Sequence, residues 1–296
     1  MISMIRIGYA GVNTELPSAS STFRLARYSV QRMLGIASAN LAALQQILAW
    51  NADHGVHLFR ITSNLIPFGS HPVNRGEWRT ALKHDFARIG RFIRDQGMRV
   101  SMHPGQYSVL NSPHEATYEN TLQELVYHET VFTLMELGFG HKIVIHGGGA
   151  YGNKAKAARV LVDRIAGLDS RIRLRLVLEN DEHVFTARDI LAICETSGIP
   201  GVLDVFHHRV LPSLPGKRTR EVIGMFAPSW AAERQKIHYS NQEPGKVMGS
   251  HSSRVDIDAF REFHAEIRDL DIDIMLEVKD KQASVLALRK EFPDLQ

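Results

Sequence analysis

A chain of 296 residues with 44% apolar and 23% charged residues has the material for a full core, and no low-complexity tract argues for disorder. Its single cysteine excludes an internal disulfide and any cysteine-rich zinc or iron-sulfur site, which fits a reducing compartment. A formal net charge of +3 is compatible with a polyanionic partner without requiring one, and the 15 histidines are the compositional outlier.

Neither a charged N-terminal segment leading into a long apolar run nor a stretch of about 18 apolar residues is found, so the expectation is a cytoplasmic chain without membrane contact. Short segments, apolar on both faces, are expected as strands at residues 5–9, 56–63, 99–104, 142–146, 174–180, 201–207, 236–240 and 273–278. Amphipathic stretches lie between them, with apolar residues at Leu41, Leu44, Ile47 and Leu48, at Phe86, Ile89 and Ile93, at Leu122, Leu125 and Val126, and at Ile190 and Ile193. Cys194 falls in the last of these and reads as core. Glycines that stop helices precede several strands: Gly55, Gly97, and Gly138 or Gly140.

Repeated βα units give either an open doubly wound sheet or a closed barrel. No Gly-x-Gly-x-x-Gly turn follows the first strand, and polar residues end nearly every strand instead of gathering at one switch point. The reading is an α/β chain folded as one TIM (β/α)8 barrel over residues 1–296. The long loops at residues 64–78, 105–116, 208–219 and 240–255 would then surround the barrel mouth, where such folds keep their active sites.

Six apolar segments end on metal-binding side chains: His103, His146, Glu179, the Asp204 and His207 pair, the Lys236 and His238 pair, and Glu277. His71 and His251 join them from loops. One strand-end histidine is more often a hydrogen-bond partner than a ligand, but seven imidazoles and carboxylates in register on six strands point to metal. The mixed nitrogen and oxygen set suits Mn²⁺, Zn²⁺, Fe²⁺ or Co²⁺. So many candidates exceed one ion, which implies two or three, with Glu179 and Glu277 as bridges, and closely spaced ions suit displacement at phosphorus. His54, His57, His84, His114, His128, His141, His183 and His264 are expected at the surface, and His208 beside the site or solvated.

In the segments Gly8-Tyr-Ala-Gly-Val-Asn13, Phe68-Gly-Ser-His71, Met102-His-Pro-Gly-Gln-Tyr107, Leu178-Glu-Asn180, Asp204-Val-Phe-His207 and Lys236-Ile-His-Tyr-Ser240, the chain resembles the UV damage endonuclease family. The resemblance implies a manganese-dependent TIM barrel that nicks double-stranded DNA immediately 5′ to cyclobutane pyrimidine dimers, 6-4 photoproducts and abasic sites. It implies His71, His103, His146, Glu179, Asp204, His207, Lys236, His238, His251 and Glu277 around two or three Mn²⁺ ions, with Zn²⁺, Co²⁺ or Mg²⁺ as substitutes. Lys236 would be carboxylated, and Glu179, Glu277, Lys236 and His238 would serve catalysis. Gln106 and Tyr107 would probe the duplex by stacking, with Tyr9 and Asn13 also near the lesion.

Among basic loop residues, Lys154, Lys217, Arg218, Arg220, Lys246 and Arg254 are candidates for phosphate contacts, Lys154 and Arg254 foremost. The expected products are a 3′ hydroxyl and a 5′ phosphate, made by a monomer with no obligatory protein partner. Two other enzymes share such a metal face: an abasic-site endonuclease without photoproduct recognition, and a xylose-isomerase-like sugar isomerase, which needs a closed pocket for a small polyol. A non-catalytic DNA-binding module leaves so many aligned ligands unexplained.

Overall fold

Strands rich in Val, Ile and Leu on both faces need cover on both sides, and here a closed barrel provides it. The structure is a computed structural model that describes residues 4–231 and 233–296; residues 1–3 and 232 of the expected domain lie outside the described residues. Eight parallel strands follow one another around the barrel: β1 (Ile5–Gly11), β2 (Leu58–Ile61), β3 (Arg99–Met102), β4 (Lys142–His146), β5 (Leu176–Glu179), β6 (Gly201–Asp204), β7 (Gln235–Tyr239) and β8 (Ile272–Leu276). Pairing of β1 with β8 closes the ring. The TIM barrel expected from the βα pattern is therefore the fold.

Helices jacket this ring. After β1 comes α1 (Val30–Asp53), after β2 α2 (Trp78–Ala81) and α3 (Lys83–Asp95), and after β3 α4 (Glu115–Leu134). Then follow α5 (Lys154–Ala166), α6 (Ser170–Arg175), α7 (Ala187–Ser197), α8 (Val205–Val210), α9 (Thr219–Phe226), α10 (Ile257–Ile267) and α11 (Gln282–Glu291). Local sequence sets the ends: Thr186 and Asp189 form a capping box at the start of α7, and Gly198 ends it at φ +72°. By length and composition α1 would pass for a membrane span, but Leu41, Leu44, Ile47 and Leu48 are buried in the core of the domain. Val126 departs from expectation: it is exposed on α4 while Leu125 packs inward.

Strand register stacks the barrel interior in layers. Near the N-terminal ends of the strands Arg6 pairs with Asp273, and Arg99 opens β3. Gly8, Leu58, Ser101, Val144, Val177, Val202, Lys236 and Met275 fill the middle. Two residues further along the same strand faces come Arg60, His103, His146, Glu179, Asp204, His238 and Glu277. Gly8 is obligatory, because a Cβ there would lie 1.9 Å from the Leu58 carbonyl oxygen.

Candidate metal centre

The mouth layer brings together residues far apart in the chain. Donor atoms of His103, His146 and Glu179 lie within 4.8 Å of one another, as do those of Glu179, Asp204, His238 and Glu277. Glu179, at the end of β5 and with no exposed surface, belongs to both groups. His207 is not at a strand end: β6 stops at Asp204 and the chain turns into α8, with Asp204 Oδ1 accepting the His207 backbone N–H at 2.7 Å. That turn brings the His207 Nδ1 atom to 3.8 Å from Glu179 Oε1, and His207 Nε2 to 3.2 Å from His251 Nε2.

Four of the imidazoles are anchored through one nitrogen. Backbone carbonyls accept from His103 Nδ1 (Pro104, 2.9 Å), His207 Nδ1 (Asn180, 3.0 Å) and His251 Nδ1 (Glu277, 3.0 Å). His238 Nδ1 donates to Glu179 Oε1 at 2.7 Å. Each anchor leaves the opposite nitrogen, Nε2, facing the rest of the cluster, as His103 Nε2 faces Glu179 Oε2 at 3.0 Å, which is the arrangement that orients metal-binding histidines.

Charge in the centre is balanced unevenly. Burial alone would raise Glu179, but the N–H that His238 donates to it and the imidazoles gathered around it hold it well below the usual carboxylate range. Glu277 is likewise depressed, with Arg60 the largest influence opposing its burial. Burial pushes Asp204 up to about 6. Burial would lower His207, yet the Asp204, Glu179, Glu277 and Glu182 carboxylates outweigh it and raise the imidazole to about 9. Burial lowers His238 to about 4, so its ring is neutral and presents an Nε2 lone pair.

Buried polar atoms without partners test whether the centre fits a cation. His146 Nδ1, Asp204 Oδ2 and Lys236 Nζ have no hydrogen bond, a costly condition for buried groups. Unsatisfied imidazole and carboxylate atoms clustered on Glu179 fit one or more divalent ions. Lys236 lies deeper on β7, where burial, then Arg60 and Arg99, drive its amine far below the ordinary lysine range.

The structure also relocates several candidates. His71 is exposed on the loop after β2, accepts the Val73 N–H at 3.1 Å and lines a neighbouring cleft of about 500 Å³ with Phe68, Tyr107 and Glu124; it is not brought to the cluster. Tyr9 and Asn13 are buried, with the Tyr9 hydroxyl donating to Asn51 Oδ1 at 2.6 Å and accepting from Asn13 Nδ2 at 3.1 Å. These side chains brace β1 against α1 and are almost wholly buried. Lys154 is exposed but paired with Asp189 at 2.8 Å, so its charge is already engaged. Lys217 and Arg218 pair with Glu221, and Arg220 with Asp269, while Arg254 and Lys246 are exposed. Of the histidines expected at the surface, His128 and His264 are buried.

Gln106 and Tyr107 stand at the rim. Tyr107 is 65% exposed, yet its hydroxyl donates to Glu124 Oε1 on α4 at 3.0 Å. Both residues line the cleft of about 450 Å³ that contains His103, His146, His207, His251 and Glu277. Arg60 and Lys281 line it too, and neither was singled out in the sequence. The signal for Arg60 was present: it is the one charge in Leu-Phe-Arg-Ile, on the strand face that leads to the mouth. Lys281, held at φ +55° just after β8, carries no comparable mark.

Comparison with known proteins agrees with this geometry. Residues 5–296 match the family model for UV-endonuclease UvdE. A UV DNA damage endonuclease from Clostridium perfringens is 36% identical over 288 residues, covering 95% of this chain and 69% of that protein. The crystal structure of SacUVDE superposes with a TM-score of 0.93 at 38% identity, covering 98% of this chain and all of that one. A D-psicose 3-epimerase structure shares only the fold, at 13% identity and a TM-score of 0.54 over 94% of this chain and 89% of that one. Sequence, fold and mouth residues together place the chain in the UV-endonuclease UvdE family, as a UV-damage endonuclease acting on DNA.

Proposed function

We propose that this endonuclease nicks double-stranded DNA immediately 5′ to cyclobutane pyrimidine dimers, 6-4 photoproducts and abasic sites, leaving a 3′ hydroxyl and a 5′ phosphate. The observation that carries the reading is Glu179, a fully buried carboxylate common to two ligand groups. Two or three divalent ions, with Mn²⁺ the proposed metal, would be held by His103, His146, Glu179, Asp204, His207, His238, His251 and Glu277. Such ions lower the pKa of water and neutralise charge on a leaving oxygen.

The chain's own groups prepare that chemistry. Glu179 stays ionised and accepts from His238 at 2.7 Å, so its charge and position are set before substrate arrives. The carbonyl anchors hold the imidazole rings in place, and the Pro104-Gly105 turn lifts Gln106 and Tyr107 to the rim, where stacking against disturbed bases is available. Lys236 supports carboxylation: its depressed basicity favours the neutral amine, the form whose nitrogen attacks carbon dioxide with loss of a proton to give a carbamate. We take the chain to act as a cytoplasmic monomer.

A duplex with one thymine dimer, a matched abasic duplex and an undamaged duplex, each incubated with enzyme and manganese, test the reading. Nicking confined to the damaged duplexes, at the 5′ neighbour and abolished by chelator, is expected. Cleavage of the abasic duplex alone would favour the narrower abasic-site reading, and cleavage insensitive to chelator would end the metal mechanism.

A further inference from the structure

Arg60 stands in the middle of the centre, and its side chain is largely shielded from solvent. Its Nη2 donates to Glu277 Oε1 at 2.5 Å and to His238 Nε2 at 2.9 Å. Both acceptors belong to the group of four whose donor atoms lie within 4.8 Å of one another. Nη2 is also 3.4 Å from His238 Nδ1, so the guanidinium lies over the imidazole ring, and a cation held by that group needs the Glu277 charge and the space beside His238 that it fills. Guanidinium and metal ion therefore compete for one position.

Arg60 has somewhere else to go. Its Nε makes no hydrogen bond, so the guanidinium is only partly committed. Ala10 and Gly11 line the adjoining wall of the cleft, and a Cβ built on Gly11 would meet nothing within 4 Å. The flexible stem lets the planar donor fork turn into that space, at the mouth where a DNA backbone would lie. An arginine fork matches phosphate oxygens in charge and geometry.

We propose that Arg60 exchanges partners: it neutralises Glu277 and covers the His238 ring until a divalent cation takes the Glu277 charge, and then turns its guanidinium to a phosphate of the DNA backbone. This rests on the reading that the cleft takes DNA alongside bound cations. A group that must be displaced lowers the apparent metal affinity by the fraction of molecules it keeps closed. Removing the competitor should thus tighten metal binding while weakening the hold on DNA, a pair of opposite signs that a purely structural role does not give.

The test is Arg60→Gln. Manganese(II) alone, titrated into the DNA-free protein by calorimetry, should bind about tenfold tighter than to the wild type. The manganese-loaded variant should bind a short undamaged duplex more weakly, with the slope of log K against log salt reduced by about 0.9, one phosphate contact. Unchanged or weaker manganese binding by a variant with a normal melting transition overturns the exchange. Tighter manganese binding with an unchanged salt slope overturns the phosphate step. If Arg60→Gln does not fold, Arg60→Lys carries the same test, with smaller shifts in the same directions. A wild-type protein that fails to nick damaged DNA would sink the proposed function and leave the manganese result standing.

Discussion

The two ends of the barrel use similar groups in opposite proportions. At the base, one carboxylate serves three arginines: Asp273 accepts from Arg6 Nε, Arg99 Nη1 and Arg234 Nε, each at 2.7 Å. At the mouth, among the described residues, Arg60 is the arginine that pairs into the cluster of Glu179, Asp204 and Glu277, through Glu277. Asp273 is saturated with donors, whereas Asp204 Oδ2 and His146 Nδ1 at the mouth have no partner. A completed array locks strands to one another, while an incomplete array of the same chemistry leaves coordination to be supplied by a ligand. Lys236 lies between the two ends, influenced by Arg60 and Glu179 at the mouth and by Arg99 and Asp273 at the base.

The largest effect expected to break this contrast comes from Glu179→Gln. It removes the charge that His103 and His238 bracket, and nicking should fall by about a thousandfold or more, roughly 4 kcal/mol in the barrier, with the melting temperature in chelator somewhat lowered because a depressed carboxyl stabilises the fold when ionised. A well-folded variant with near-normal nicking at saturating manganese would show that the mouth array is not the reaction centre. The complementary change is Asp273→Ala, which strands Arg6, Arg99 and Arg234 without their shared counter-charge. Urea unfolding should register a loss of about 3 kcal/mol, the lower end for a broken buried pair because the arginines retain some solvent. Activity per folded molecule should persist, and a loss of nicking without a loss of stability would erase the distinction between the two ends.

How far the sequence made these ends legible follows from what each is built of. The mouth was legible because imidazoles and carboxylates ended otherwise apolar segments, and parity along a strand places such residues on one face. The base was missed because its residues sit at strand starts: Arg6, Arg99 and Arg234 look like ordinary surface charge until barrel closure brings all three to Asp273. The fold was legible from eight apolar segments with helices between them, although β6 ends at Asp204 and not at His207, where a helical turn begins. Tyr9 was misplaced because whether a strand aromatic faces the mouth or a covering helix depends on which parity points inward. His128 on α4 escaped notice for a similar reason: a helical histidine reads as solvated, yet here its Nδ1 donates to the Glu124 carbonyl at 2.6 Å and its Nε2 lies 2.9 Å from Ser63 Oγ, which donates to the His103 carbonyl.

A pH series sharpens the comparison at intermediate magnitude. His207 is raised from 6.5 to about 9, so in chelator its contribution to stability is complete below 6.5 and is lost as pH rises through 9. Asp204, raised from 3.8 to about 6, acts in the same direction at lower pH, favouring the fold more when protonated. Metal needs both groups deprotonated, so manganese affinity should climb with pH, approaching about tenfold per unit where His207 alone titrates. Calorimetry in buffers of different ionisation heat should detect the released proton. A pH-independent affinity between 6 and 9 would mean that His207 is not displaced from its carboxylate partners by the ion.

The smallest expected effect lies at the rim, where an exposed side chain borrows order from a buried one. Glu124 Oε1 accepts from both Ser70 Oγ at 2.7 Å and the Tyr107 hydroxyl at 3.0 Å, and burial with this carboxylate nearby pushes the phenol up to about 12. The phenol thus remains a donor throughout the working range, and its tether holds the ring at one orientation above the cleft. Tyr107→Phe keeps the stacking surface and loses the tether, so nicking of a dimer-containing duplex should fall by about fivefold, the worth of one hydrogen bond near 1 kcal/mol. Glu124→Leu, which also frees Ser70, should cost at least as much, and the double variant no more than Glu124→Leu alone, because both break the same tether. Additive losses would mean that Glu124 acts through Ser70 and α4 instead of through the tyrosine, and the rim would then owe its order to the loop backbone.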